Sequence, residues 1–244
     1  MNINDFVRAN SAKTYLGLNP TTRVTASVNA SGRSGLEKAD KRIQAQVDVT
    51  SAQLSSFGKL KSAVSEAQTA SSALVNLSPT STGAAQKTAA EKFVSAFNSA
   101  ISTAKTTASV AGDTTANQRA NRVAKDLSVA VSSDTATIDA LKKIGFNLQS
   151  DGTLSLDAKK FDAAQASDPS SVKATLAKVG QQVDKTATQE LASGGRVTTT
   201  VTSLTQRAAL LKSQQNTLAT LQQQSTSYLN NSYQTYSGFG LFGS

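Results

Sequence analysis

Residues 141–157 read Leu141-Lys-Lys-Ile-Gly-Phe-Asn-Leu-Gln-Ser-Asp-Gly-Thr-Leu-Ser-Leu-Asp157. From Ile144 to Gln149 apolar and polar side chains alternate, Asp151-Gly152 follows, and alternation resumes from Thr153 to Asp157. A period of two on both sides of an Asp-Gly pair predicts a β-hairpin. Ile144, Phe146, Leu154 and Leu156 are its expected core side chains, and Asp151 with Gly152 sets its register. A lone hairpin is marginal in water, so this one must pack on a helix or pair with more strands.

Outward from the hairpin the period is helical. Toward the C-terminus, Asp157 heads a short helix containing Phe161, and Asp168-Pro169 starts another with Val172, Leu176 and Val179 facing inward. Gly194-Gly195 then breaks the chain before a long helix, expected from Arg196 to Tyr228. Val197, Leu204, Leu211 and Leu218 stand seven residues apart, and Val201, Ala208, Gln215, Gln222 and Leu229 form the row beside them. Two adjacent rows at that spacing make a coiled-coil seam, weakened locally by its Gln residues.

Toward the N-terminus, helices are expected over 135–144, 116–131 and 88–108, the last with Phe93 and Phe97 under the hairpin. Pro79 and Gly83 separate these from a first long helix, Gly35 to Leu77. Its stripe includes Leu36, Ile43, Val47, Leu54, Phe57, Leu60 and Val64 at gaps of three, four and seven. Gly58 within it marks a kink or a close contact.

The fold expected is therefore mainly α with a small α+β unit. Long N- and C-terminal helices, 35–78 and 196–236, pair as an antiparallel coiled-coil-like stalk. Central helices and the hairpin occupy 88–193. The polar segment 1–34 is expected to be disordered. The tail 237–244 is Gly-rich and flexible, open between a free end and a docking point for a partner or export chaperone. The two arms carry little apolar surface, so neighbouring subunits are expected to supply further burial along Leu36, Ile43, Val47, Leu54, Phe57, Val64, Val197, Leu204, Leu211 and Leu218.

Composition narrows the function classes. The 244 residues contain no His, Cys or Trp. The commonest general base, the thiolate nucleophile and the usual transition-metal ligands are absent, so no catalytic residue, cofactor or metal ligand is expected. Asp151 and Asp157 do not form an acid–base pair in this reading, because one is a turn residue and the other a helix cap. The net charge of +9 is spread along the chain with no run beyond two basic residues. Nucleic-acid binders concentrate that charge and interleave aromatics, so nucleic acid is not the expected partner. No stretch approaches the ~20 apolar residues that span a bilayer, nor is there the apolar core of a cleavable signal peptide.

Several stretches resemble the flagellar hook-associated protein 2 family, the filament cap proteins. They are Ser55-Ser-Phe-Gly-Lys-Leu-Lys-Ser-Ala63, Phe93-Val-Ser-Ala-Phe-Asn98, the hairpin stretch 141–157, Lys160-Phe161-Asp-Ala-Ala164, Asp168-Pro169-Ser-Ser-Val-Lys173 and Gly180, followed by the heptad helix. The ordered set covers about residues 35 to 232. Family members usually carry β-rich head domains where this chain has only Ser78 to Lys87, so the resemblance is to a short version. It implies a secreted, non-enzymatic axial protein exported unfolded by the flagellar type III apparatus. It also implies a ring-like homo-oligomer at the filament tip, with flagellin or hook-associated junction proteins as partners. The competing readings are another helical axial or type III structural protein and a basic nucleic-acid-associated protein.

Overall fold

The computed structural model describes residues 26–78 and 80–238. In chain order these form α1 (Ala26–Val75), α2 (Gly83–Ala108), α3 (Thr114–Ser132), α4 (Thr135–Lys143), β1 (Phe146–Leu148), β2 (Leu154–Leu156), α5 (Ala158–Ser167), α6 (Pro169–Leu191) and α7 (Arg196–Gly238). The fold class is mainly α with one small antiparallel hairpin, as the periodicities indicate.

Local chemistry sets most boundaries. An aspartate precedes each of four helices and accepts from its first free backbone N–H groups. Asp113 caps Thr115 and Ala116, Asp134 caps Thr137, Asp157 caps Lys160 and Asp168 caps Ser171. Pro169 occupies the first turn of α6, where a missing N–H costs nothing. Thr82 caps α2 through Ala85, which starts that helix at Gly83, five residues earlier than the apolar pattern alone suggests. The long helices also exceed their expected spans. Ala26 to Ser34, expected to be disordered, is helical, and α7 continues to Gly238. The rest of the expected disordered segment, and the tail from Phe239, lie outside the described residues.

The chain divides by contacts into two units, Asp48–Ala209 and the chain ends Met1–Val47 with Leu210–Ser244. The boundaries fall inside α1 and α7. Phe57, Leu60, Val64, Ala67 and Leu74 of α1 are buried in one cluster with Phe93, Phe97, Leu127, Phe146, Phe161, Leu176 and Val197. The second half of α1 is thus a core helix of the larger unit.

Within that unit α2 packs along α3, α3 along α6, and α2 also meets the hairpin and α5. The hairpin register pairs Phe146 with Leu156, Asn147 with Ser155 and Leu148 with Leu154. Phe146 and Leu154 are buried while Asn147 and Ser155 are exposed, the two-residue period of a half-covered sheet. Phe93 and Phe97 stack at 5.8 Å between ring centroids, and Phe146 meets Phe161 edge-on at 6.5 Å.

Gly180 and Gly58 serve opposite purposes. A Cβ on Gly180 would lie 2.7 Å from the Ser71 carbonyl oxygen and 3.0 Å from Leu74 Cβ, so α1 and α6 meet at contact distance there. At Gly58, where a kink or a close contact was expected, there is no close contact, for a Cβ there meets nothing within 4 Å.

Candidate functional site

The hairpin is fastened at its turn and at one edge. Gln149 N–H donates to the Thr153 carbonyl at 2.8 Å, and Gly152 N–H donates to the Gln149 carbonyl at 3.0 Å. Gly152 sits at φ +83°, the left-handed conformation that glycine adopts without strain. Asp151 accepts from both the hydroxyl and the N–H of Thr153, at 2.6 and 2.9 Å, and its own carbonyl accepts from Lys105 Nζ on α2.

The edge is closed by Asn98. Its Nδ2 donates to the Leu154 carbonyl and its Oδ1 accepts from Leu154 N–H, both at 2.7 Å. One amide side chain on α2 thus supplies the two hydrogen bonds that a third strand would give. The expected effect of Asn98→Ala is a loss of about 2 kcal/mol, because both backbone groups of Leu154 lose their partners in a partly buried place. Thermal unfolding together with amide exchange at Leu154 checks this; full protection of Leu154 in the variant contradicts it.

A second amide clamp joins the α2–α3 connection to α1. Gln53, 2 % exposed, donates through Nε2 to the Asp113 carbonyl at 3.2 Å and accepts from Asp113 N–H at 3.0 Å. Gly112, at φ +140°, faces the Gln53 side chain so closely that a Cβ would fall 2.4 Å from its amide carbon.

The seam residues fall into two sets. In the larger unit, Phe57, Val64 and Val197 are fully buried, Leu204 is buried and Leu54 is half-buried. In the unit of chain ends, Leu211 is 4 % exposed, while Leu36, Ile43, Val47 and Leu218 are half-buried. Gln215 Nε2 donates to Gln44 Oε1 at 2.7 Å, a neutral pairing across α1 and α7 in that unit. Leu229 is outside the described side chains. Of the hairpin set, Ile144, Phe146 and Leu154 are buried, Leu156 and Gly152 are half-buried and Asp151 is exposed.

Electrostatics around these elements are those of capping and turns. The Thr137 hydroxyl holds Asp134 below the usual carboxylate range, the Thr153 hydroxyl does the same for Asp151, and the Ser170 hydroxyl for Asp168. All three are solvent-exposed. Their contribution is present at neutral pH and is lost as pH falls through their depressed values. Glu190 behaves oppositely. Burial pushes it above the usual range although Arg196 lies beside it.

A groove of about 1160 Å³ runs between α1 and α2, lined by small side chains such as Ala70, Ala73, Ala85 and Ala89, with Lys61 and Glu66 among its walls. Its walls are hydroxyl, methyl and isolated charge, without converging acids and bases. No helix among the described residues is long and apolar enough to cross a membrane.

Asn98, Gln53 and Glu190 are the residues that sequence reasoning missed as positioning groups. Asn98 lies inside the quoted stretch 93–98, but nothing in one sequence links it to Leu154.

Comparisons with known proteins bear on this arrangement of capped helices, clamped hairpin and long terminal helix. Searches of curated proteins and of solved structures each gave no significant match. The family model described as flagellar hook-associated protein 2 C-terminus matches residues 59–237, from the middle of α1 to the end of α7. That span contains the Asn98 clamp, the 141–157 hairpin stretch and the Leu204–Leu211–Leu218 row in one order, and the chain belongs to the flagellar hook-associated protein 2 family.

Proposed function

We infer that this protein is a minimal flagellar filament cap, which assembles with copies of itself at the filament tip and promotes the insertion of flagellin without breaking or making a covalent bond. The family match over 59–237 carries the reading. Two structural features support it. The connection between α1 and α2 spans only residues 76–82, consistent with a version that lacks the outer head domains of that insertion point. The chain-end rows leave Leu36, Ile43, Val47 and Leu218 half-buried, so a neighbouring subunit gains apolar burial by covering them.

In this reading the unit 48–209 forms the plate and the chain ends form the legs that contact flagellin or junction proteins. The protein would leave the cell through the flagellar type III apparatus and act outside it. Deleting the gene in a motile host is expected to release unpolymerised flagellin into the medium and to leave short or absent filaments. Supplying the chain in trans is expected to restore them. Normal filaments in the deletion strain would overturn the reading.

A further inference from the structure

The turn between α6 and α7 contains a cluster that the assembly reading does not use. Glu190, in the last turn of α6, has a side chain only 4 % exposed. Its Oε1 accepts from Arg196 Nη1 in the first turn of α7, while its Oε2 is buried with no hydrogen-bond partner. The same nitrogen, Arg196 Nη1, also donates to Asp126 Oδ2 of α3 at 2.6 Å. Two carboxylates therefore share one terminal nitrogen of one guanidinium. With every group ionised the cluster carries one uncompensated negative charge, and its most buried member has a bare oxygen.

The chain around the cluster leaves it no room to relax. Gly195 N–H donates to the Ala192 carbonyl at 2.8 Å, and Thr198 Oγ1 donates to the Leu191 carbonyl at 2.8 Å. A Cβ on Gly195 would lie 2.3 Å from the carbonyl oxygens of Gln189 and Glu190. The Glu190 carboxylate thus sits, 4 % exposed, behind a closely packed turn. The charged groups acting on it are Arg196 from α7 and Asp126 from α3. On α6 itself, Asp184 is engaged with Ser72 of α1. α1 meets the end of α6 through a neutral pair, Gln68 to Thr188. The Lys178–Asp134 pair, at the start of α4, lies farther back along α6.

We propose that Glu190, Arg196 and Asp126 form a proton-operated latch at the root of α7, in which a proton taken up on Glu190 Oε2 neutralises the cluster and stabilises the α6–α7 turn. The proton comes from solvent and no covalent bond of the chain changes. Oε1 keeps its hydrogen bond from Arg196, so uptake removes the surplus charge and preserves the geometry. Burial, which favours the neutral acid over the carboxylate, acts in the same direction.

The sign is opposite to that of the exposed aspartate caps. The folded chain holds the Glu190 proton more tightly than the unfolded chain does. Stability therefore rises as pH falls through the folded-state value toward the ordinary glutamate range, and the gain is fully present below that range. The caps Asp134, Asp151 and Asp168 lose their contribution only at lower pH.

The full-length chain, labelled for carboxyl carbon resonances, tests this by titration of Glu190 together with melting curves between about pH 5 and about pH 8. The Glu190 midpoint is expected above the ordinary glutamate range, with the melting temperature rising toward acid. Glu190→Gln, which keeps the shape and an oxygen for Arg196, is expected to melt about 2–4 °C higher than the natural chain at a pH above the measured Glu190 midpoint, and to lose the acid-side rise. Asp126→Asn, which removes the competing carboxylate, is expected to lower the Glu190 midpoint. A Glu190 midpoint in the ordinary range, or a Glu190→Gln variant no more stable than the natural chain above that midpoint, overturns the latch.

Discussion

Gly180→Ala is expected to destabilise the protein by about 1–3 kcal/mol, although alanine is intrinsically the better helix former by about 1 kcal/mol. Gly180 lies in the middle of α6, so propensity alone predicts a gain. The added methyl, however, would sit 2.7 Å from a backbone oxygen of Ser71, 3.0 Å from Leu74 Cβ and 3.2 Å from Val75 Cγ2. A flexible side chain yields to such an intrusion; a helix backbone does not. The helices α1 and α6 must separate, and Ser71 and Leu74, both fully buried, lose contacts on either side. Gly58→Ala is the internal control. It makes the same chemical change in a helix, but into open space, and is expected to stabilise by about 0.5–1 kcal/mol. Chemical denaturation of the two variants side by side checks the pair. Stabilisation by both would mean that propensity, not packing, governs both positions.

Leu211→Asp is the second large effect. Leu211 is the best-buried seam residue in the unit of chain ends. Replacing it removes buried aliphatic surface and puts a carboxylate in its place, at an expected cost of at least about 4 kcal/mol to that unit. The loss is expected to be local. Amide protection should collapse over residues 34–47 and 210–228, while the amides of Phe93, Phe97 and Leu154 keep theirs. Native mass and sedimentation should show the variant failing to self-associate under conditions where the natural chain assembles. Unchanged protection in the chain ends would remove the seam from the account of stability, and unchanged assembly would remove it from the account of capping.

What one sequence reveals follows from how far apart the interacting groups stand along it. The hairpin was legible because register, turn and alternation are all contained within residues 144–157. Asp157 and Asp168 were legible as helix starts because a cap and the N–H it serves are two or three residues apart. The seam rows rest on heptad spacing, which is itself a statement about one face of a helix. Asn98 and Leu154 are 56 residues apart, Gln53 and Asp113 60, and Arg196 and Asp126 70. No local pattern encodes such meetings. Gly180 stands in the sequence only as part of the family pattern, and its contact with Ser71 comes from the fold. The division within α1 was beyond local reading for a related reason. Periodicity reports that a face of α1 is apolar, but not which half of it faces Phe93 and Phe97 and which half faces α7.

The neutral pairing of Gln44 with Gln215 has a consequence for how salt acts on the chain ends. From Leu210 to Gly238 the terminal helix carries a single ionisable basic residue, Lys212, and no acid; the rest is amide, hydroxyl and hydrocarbon. Mobile ions have little purchase on a seam built this way, since they screen charges and leave amide dipoles in contact nearly untouched. Dissolved salt should therefore act on these chain ends through α1, which brings Glu37, Lys38, Asp40, Lys41 and Arg42 to the same unit, and hardly at all through α7.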